Sequence, residues 1–306
     1  MPKAYKDLAG DGGSNVIGQV SELTARLQAR MRTVRAKIAV VSGKGGVGKS
    51  ALTVNLATAM ALDGARIGVL DADLNGPSIA KMTGVRGQPL KITAEGVHPV
   101  QGLAALRIMS MDLLLPRDDT PVTWRAPSQA ESYIWRSSME ATALREFLSD
   151  TVWGDLDVLW LDLPPGSDRI ATLAGLLPGL TGMVVVTIPA EVSHLVVRKS
   201  LALARDLEVP VLGLIENMAG YYCRTCQTIG ELFRSGQGAA LASDFGIPYL
   251  GSLPFDPQLA RSGDSGIPFV AMHQESPVGQ TLQKMARQLM GEIRGQGVRN
   301  SQRGTI

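Results

Sequence analysis

The chain has 306 residues, of which 45% are hydrophobic and 19% are charged, and its formal net charge is +2. A globular domain with a full-sized core is typical of this composition. The near-neutral charge argues against nucleic-acid or acidic-membrane binding, and two cysteines are too few for a disulfide-built secreted fold. The first residues have no apolar signal core, so we expect a cytoplasmic protein.

In chain order, residues 1–18 are rich in glycine and polar groups and are expected to be disordered. Residues 19–35 are predicted to form an amphipathic helix, because Val20, Leu23, Leu27 and Met31 share one helical face. A single α/β domain is then predicted over residues 36–294. A polar tail, residues 295–306, is expected to be disordered.

Within 36–294, short apolar runs alternate with helical patterns. We predict strands at 37–42, 66–71, 158–163, 183–188, 211–217 and 249–254. We predict helices at 49–63 and at about 277–294. Apolar runs without alternation favour strands that are buried on both faces. The predicted fold is therefore an α/β, doubly wound, mostly parallel sheet flanked by helices in three layers.

The strongest local motif is GKGGVGKS at residues 43–50, which fits the phosphate-binding loop pattern between a predicted strand and a helix. Its glycines allow consecutive backbone N–H groups to surround an anion at a helix N-terminus. Lys49 is predicted to contact the β- and γ-phosphates of ATP, and Ser50 to bind Mg²⁺. The predicted nucleotide-binding residues here are Gly43, Lys44, Gly45, Gly46, Val47, Gly48, Lys49, Ser50 and Ala51.

Two further side chains complete this prediction. Lys44 is a cation near the start of the loop, and it could neutralise charge that develops at the γ-phosphate. Asp162 ends a buried strand in VLWLDLPPG, the position at which a carboxylate can hold a Mg²⁺-bound water. A protein of the P-loop NTPase class, which hydrolyses ATP, is therefore predicted.

The motifs resemble those of a known family. The loop resembles the deviant Walker A motif of MinD/ParA-like ATPases, and DADLNGPSIAKMTG (71–84) resembles the D-A-D-x-x-G-P-S segment of the Mrp/ApbC iron–sulfur cluster carriers. Further matches follow in family order, namely PVTWRAP, WGDLDVLWLDLPPGS, ENM before CxxC, GSLPFDP and GDSGIPFV. The resemblance spans roughly residues 36–292. It implies a homodimeric, slow ATPase in which Lys44 contacts the partner's nucleotide.

Asp71 and Asp73 end the second predicted strand, and alternation places them on the same side of the chain. The resemblance implies that Asp73 orients the attacking water and that Asp71 supports the Mg²⁺ shell. The alternative is that one of these carboxylates caps the helix that starts near Pro77, for which Asn75 is another candidate.

Asn217 follows a predicted strand, and in the resembled class an asparagine here contacts the adenine edge. Its alternative role is an Asx-type turn. The PFDP loop at 254–257 is expected to lie nearby, so that Pro254 completes the base pocket.

Cys223 and Cys226, in YYCRTCQ, are the only cysteines of the chain. Three interpretations are open. A thioredoxin-like redox pair should follow the first strand of a different fold. A structural zinc site needs two more ligands, and His98, His194 and His273 do not have the required spacing. In a twofold dimer, two CxxC pairs offer four thiolates, enough for one [4Fe–4S] cluster or one zinc. The resemblance favours the cluster.

The sequence also departs from the family. Ala51 replaces a common hydroxyl residue, WRAP replaces W-R-G-P, the segment after PPG is shortened, and the stretch from Ser128 onward is unlike the usual interface helix. The resemblance implies a carrier that delivers its cluster to apo-proteins and works with cluster scaffold proteins, without nucleic acid or stable membrane association. The alternative is a MinD/ParA-like, ATP-switched spatial regulator that binds membrane or nucleoid. A membrane helix would use Leu282, Met285, Leu289 and Ile293.

Overall fold

The computed structural model describes residues 16–115, 120, 132–166, 168–177, 179–232 and 237–303. The motif at 121–127, residues 1–15 and residues 304–306 lie outside the described residues. The described chain is an α/β protein with helices on both faces of a central sheet.

The strands of the described chain, in order, are β1 (Val34–Ser42), β2 (Ile67–Asp71), β3 (Lys91–Thr93), β4 (Gly96–His98), β5 (Val100–Gln101), β6 (Arg107–Met109), β7 (Leu156–Asp162), β8 (Gly182–Thr187), β9 (Val211–Glu216), β10 (Tyr221–Tyr222), β11 (Ile229–Gly230) and β12 (Tyr249–Ser252). The helices are α1 (Val16–Met31), α2 (Lys49–Leu62), α3 (Ile79–Met82), α4 (Ser132–Asp150), α5 (Arg169–Leu176), α6 (Glu191–Asp206), α7 (Gln237–Phe245), α8 (Pro257–Ser265), α9 (Phe269–Met272) and α10 (Pro277–Arg303).

Eight strands form the central sheet in the order β12-β9-β8-β1-β7-β2-β6-β5. Its pairings are parallel except for β5 with β6. The six predicted strands are the first six in this order, from β12 to β2. Strands β5 and β6 were not predicted because they are only two and three residues long. The predicted doubly wound, mostly parallel fold is confirmed.

The core consists of two hydrophobic clusters, one on each face of the sheet. Alternate residues of β1 divide between them: Ile38 and Val40 belong to one cluster, and Ala39 and Val41 to the other. This division follows from the two-residue period of a strand, and it explains why the central strands are apolar throughout. Helix α2 is buried along most of its length within the first cluster.

The C-terminal helix differs from its prediction in length. It was expected to end near residue 294 before a disordered tail, but its backbone stays helical to Arg303. No proline interrupts this stretch, so the glycines at 295 and 297 weaken the helix without ending it. Its apolar residues Leu282, Met285, Leu289 and Ile293 are buried in the domain core beside α2. They are therefore not available as a membrane-binding face.

The N-terminal helix also differs slightly from its prediction. It begins at Val16 and ends at Met31, so residues 16–18 are helical and β1 already starts at Val34. Leu27 and Met31 are buried in the second cluster, against which α4 also packs. Within the described residues, no helix combines the length and the apolarity needed to cross a bilayer.

Candidate functional site

The predicted site residues lie after the carboxyl ends of neighbouring parallel strands. Loop 43–50 follows β1, Asp71 and Asp162 end β2 and β7, and Asn217 follows β9. Ligands of open α/β sheets bind at this edge. A cavity of about 610 Å³ opens here, and its lining includes Gly48, Ala51, Asn217, Pro254 and Asp256.

The backbone of the phosphate loop depends on two glycines. Gly46 and Gly48 have φ angles of 78° and 82°, in the left-handed region that glycine adopts without strain. Gly48 is also the N-cap of α2, so the loop leads directly into the helix N-terminus. The curled loop and the helix dipole together are suited to binding an anion, which is the role that the motif predicts.

Lys49 is buried and paired. Its Nζ lies 2.7 Å from Oδ2 of Asp162, and its side chain is 7% exposed. The Ser50 hydroxyl donates to the same Oδ2 at 2.6 Å, and Thr53 donates to Oδ1 at 2.8 Å. Asp162 therefore connects the first turn of α2 to the end of β7. Thr53 was not predicted, although it lies one helical turn after Lys49 and faces the same side.

Asp71 is fully buried beside Asp162, with which it is paired in register between β2 and β7. One of its oxygens accepts hydrogen bonds from the backbone N–H groups of Ser78 (2.8 Å) and Ile79 (3.0 Å), and from the Ser110 hydroxyl (3.1 Å). This is the capping geometry that the sequence left open for this aspartate. Burial, followed by the charge of Asp162, raises the pKa of Asp71 to about 7.

We therefore expect Asp71→Asn to change stability in a pH-dependent way. The unfolded carboxyl ionises near its ordinary pKa of 3.8, but the folded one keeps its proton up to about 7. The contribution of Asp71 to the free energy of unfolding of wild type therefore falls as pH rises from the unfolded pKa to the folded pKa. The free energy of unfolding of Asp71→Asn, expressed relative to that of wild type, should therefore be about 2.5 kcal/mol higher at about pH 8 than at about pH 5. Urea denaturation of nucleotide-free protein at the two pH values measures this.

Asp157→Asn is the matched control. Hydrogen bonding to Arg66 lowers the pKa of Asp157, so that carboxylate is ionised in both states over the same pH range. Its effect on stability should be the same at both pH values. An equally constant effect for Asp71→Asn would mean that Asp71 is ionised in the folded protein.

The loop after β2 is held by hydrogen bonds to two carboxylates, those of Asp73 and Glu140. Asp73 is half-buried, and its carboxylate accepts a hydrogen bond from the Gly76 N–H in the loop after β2. In that same loop, Asn75 donates to Glu140 at 2.8 Å, and Arg169 at the start of α5 donates to the other Glu140 oxygen at 3.1 Å. Glu140 lies on α4, in the stretch that departs from the resembled family, and its side chain is 14% exposed.

Two further residues that were predicted to bind nucleotide, Asn217 and Lys44, differ in their surroundings. The buried Asn217 donates from Nδ2 to the Val47 carbonyl at 2.9 Å, so it holds the loop as well as lining the cavity. Lys44, near the start of the loop, is exposed. The Gly166 N–H donates to the Ser42 carbonyl at 3.1 Å, which fixes the PPG segment next to the loop.

The two cysteines lie apart from this cavity, in the turn of the hairpin formed by β10 and β11. Cys223 is half-buried and Cys226 is exposed, and both are free thiols. The turn is closed by hydrogen bonds from the Cys223 N–H to the Thr228 carbonyl (2.9 Å) and from the Gln227 N–H to the Cys223 carbonyl (2.7 Å). The hairpin therefore presents both sulfur atoms near its tip.

The cysteine turn is suited to metal binding but is incomplete. A hydrogen bond with the Thr228 hydroxyl, at 3.0 Å, lowers the pKa of Cys226 to about 7, which favours the thiolate that binds metals. Among the described residues, no group of three or more His, Cys, Asp and Glu side chains could hold a metal ion. A four-ligand site at this turn thus requires ligands from outside the described part of this chain.

Within the described residues, the side chain of Arg224 joins this turn to the wall of the cavity by a polar contact. Arg224, between the cysteines, binds both carboxylate oxygens of Asp256, at 3.1 and 3.0 Å. The sequence analysis did not predict this pair, since the two residues are distant in sequence and belong to different motifs.

The family model described as ParA: NUBPL iron-transfer P-loop NTPase matches residues 33–132 and 127–290. An iron–sulfur cluster carrier protein of Saccharolobus solfataricus is 42% identical over 269 residues, 88% of this chain and 87% of that protein. One of Methanocaldococcus jannaschii is 38% identical over 277 residues, 90% of this chain and 91% of that protein.

Two solved structures are similar in fold. A nucleotide-binding protein of Archaeoglobus fulgidus in complex with ADP has a TM-score of 0.68 and 33% identity, covering 79% of this chain and 91% of that one. The MinD cell division protein of Aquifex aeolicus has a TM-score of 0.56 and 18% identity, covering 84% and 97% of the two chains. At that identity, the MinD likeness concerns the fold alone.

Proposed function

This chain belongs to the NUBPL iron-transfer P-loop NTPase family, and we propose that it is a cytoplasmic ATPase that carries a [4Fe–4S] cluster between two copies of itself. The observation on which this rests is the free cysteine pair at an exposed hairpin tip, with two sulfur ligands and no third ligand group among the described residues. A twofold axis beside the tip would supply the other two thiolates. Zinc could occupy the same four-sulfur site.

In this proposal, loop 43–51 binds ATP with Mg²⁺. The oxygen donors present fit that metal, because the Ser50 hydroxyl and the Asp162 carboxylate already lie 2.6 Å apart at the loop. These two residues would hold Mg²⁺, which would neutralise phosphate charge. Asp71, through its hydrogen bonds to Ser78 and Ile79, would support this shell from behind.

The proposed hydrolysis uses three further residues. Lys49 would contact the transferred phosphate, and Asp73, on the loop after β2, would orient the attacking water. Lys44 is exposed, which suits a side chain that contacts the nucleotide of the partner subunit. Asn217 and Pro254, both in the cavity wall, would contact the base. We propose that turnover is slow and changes the contact between the two copies.

The proposed partners follow from the cargo. A cluster held at an exposed tip by four thiolates can transfer to another protein's thiolates by ligand exchange. The chain would therefore receive its cluster from a scaffold protein and deliver it to apo iron–sulfur proteins.

Anaerobic cluster reconstitution of wild type and Cys223→Ala tests the proposal, with Thr225→Ala in the same turn as a matched control. We expect wild type and Thr225→Ala to show a thiolate-to-iron absorbance band at ~400 nm, with one cluster per two chains, and Cys223→Ala to show none, because each cluster needs all four thiolates. Iron and sulfide analysis with size-exclusion light scattering provides the stoichiometry.

The same samples distinguish the alternative function. Wild type that binds neither cluster nor zinc, but sediments with liposomes in the presence of ATP, would contradict the carrier proposal and favour a membrane-bound regulator. The burial of Leu282, Met285 and Leu289 in the core supports the opposite expectation, namely no sedimentation.

A further inference from the structure

Asp256 is a buried residue in the wall of the cavity, and hydrogen bonds fix its position. It is 3% exposed, and its carboxylate accepts a hydrogen bond from the Gln258 N–H at 2.9 Å, which caps helix α8. Together with Pro254 and Phe255 it lines the cavity of about 610 Å³. A ligand in the cavity would therefore contact Pro254 and Phe255, which directly precede a carboxylate whose position is set by a helix N-terminus.

Arg224 connects Asp256 to the cysteine turn. Its Nε and Nη2 donate to the two oxygens of Asp256 at 3.1 and 3.0 Å, so the pair has fork geometry. The Asp256 side chain is 0% exposed and that of Arg224 is 42% exposed. A bidentate guanidinium–carboxylate pair fixes orientation as well as distance. Since Arg224 lies between Cys223 and Cys226, the pair also fixes the turn that holds the two sulfurs.

The backbone brings the two segments together but stops short of the turn. The Phe255 N–H donates to the Gly220 carbonyl at 2.6 Å, and the Tyr222 N–H donates to the Phe255 carbonyl at 3.0 Å. Beyond Tyr222, the hydrogen bonds among the described residues 223–228 stay within the hairpin, apart from those of Arg224. Arg224 is thus the polar tether between the turn and the rest of the domain.

We propose that Arg224 is a positioning residue that couples nucleotide binding in the cavity to the geometry of the cysteine turn. The proposal rests on the proposed function in taking the cavity as the nucleotide site. A nucleotide against the wall restrains Asp256, and through Arg224 it restrains the turn. Because coupling is reciprocal, a metal held by the two sulfurs restrains the wall in return. The carrier would in this way sense at its sulfur site whether nucleotide is bound.

Hydrogen–deuterium exchange with and without ADP tests the coupling in protein that holds no metal. In wild type, we expect ADP to slow exchange of the Cys223 and Gln227 amides by about fivefold or more, the low end of coupling between sites. In Arg224→Gln, ADP should still protect the amides of loop 43–50 but leave the turn unchanged. Arg224→Lys keeps the charge but cannot donate the two parallel hydrogen bonds of a guanidinium. In this variant, ADP should change the logarithm of the exchange rate of the turn amides by less than half as much as in wild type.

Arg198→Gln is the control, because it breaks an exposed ion pair with Asp244 (2.7 Å) that shares no residue with the Arg224–Asp256 pair. It should behave like wild type. Protection of the loop without any change at the wild-type turn would overturn the proposal, and so would wild-type behaviour of Arg224→Gln. No ADP protection of loop 43–50 would instead refute the nucleotide site itself.

A second measurement uses Zn²⁺ alone. Calorimetric ADP titrations of zinc-loaded and zinc-free protein should differ in Kd by about fivefold in wild type and by less than about twofold in Arg224→Gln. Equal ratios in the two proteins would contradict the role of Arg224. Wild type that binds neither zinc nor cluster would refute the carrier function, while the exchange experiment would still decide on Arg224.

Discussion

Lys49→Ala should abolish ATP turnover, with a loss of at least about 100-fold, the effect typical of removing one group that stabilises transition-state charge. Lys49 is buried at the helix N-terminus where phosphate is expected to bind. The exposed Lys199 provides a control, and its replacement by alanine should leave turnover unchanged. Phosphate release measured under saturating ATP tests both variants.

The same substitution should lower stability, because Asp162 is then buried without its cation. Its hydrogen bonds from Ser50 and Thr53 remain, so we expect the chain to stay folded. Lys49→Ala combined with Asp162→Asn should recover much of the lost thermal stability without recovering turnover. If folded Lys49→Ala hydrolysed ATP at the wild-type rate, the assignment of loop 43–50 would be wrong.

Gly48→Ala should weaken ADP binding more than Gly46→Ala. Both glycines have left-handed backbones, which cost an alanine about 1–2 kcal/mol. A Cβ at Gly46 has no heavy atom within 4 Å, but one at Gly48 would lie 2.2 Å from Nδ2 of Asn217. That clash would move Asn217 away from the Val47 carbonyl, a loss of about 1–3 kcal/mol, which corresponds to roughly 5- to 150-fold in affinity.

A double-mutant cycle isolates this contact. In an Asn217→Ala background the clash is absent, so Gly48→Ala should cost no more affinity than Gly46→Ala does in wild type. Isothermal titration with ADP provides the four values. An equal cost of Gly48→Ala in both backgrounds would show that Asn217 does not hold the loop.

The family and the fold could be predicted because their signals are local in sequence. The phosphate loop lies between one strand and one helix, and the buried strands are unbroken apolar runs, so neither prediction needed a distant contact. The phosphate loop places Lys49 and Ser50 at the start of α2. Because β7 pairs with β1, Asp162 at the end of β7 lies beside them. The two cysteines were likewise visible as a spaced pair.

The contacts that organise the site could not be predicted, because they join residues that are far apart in sequence. Arg224 meets Asp256 because β12 pairs with β9, and Asn217 meets Val47 because β8 joins β9 to β1. The capping role available to Asp71 depends on the path of the loop up to Ile79. The helical end of α10 was missed for another reason, since its glycines and polar residues have low helix propensity.

The bridge made by Glu140 has a consequence for the free protein. It connects the loop after β2 with the start of α5, and the Gly166 N–H donates to the Ser42 carbonyl just before the phosphate loop. Both segments are therefore preorganised before nucleotide arrives. Less conformational entropy is then lost on binding. Helix α4, which is distant in sequence from the predicted nucleotide-binding residues, thus adds rigidity to the site through the single side chain of Glu140.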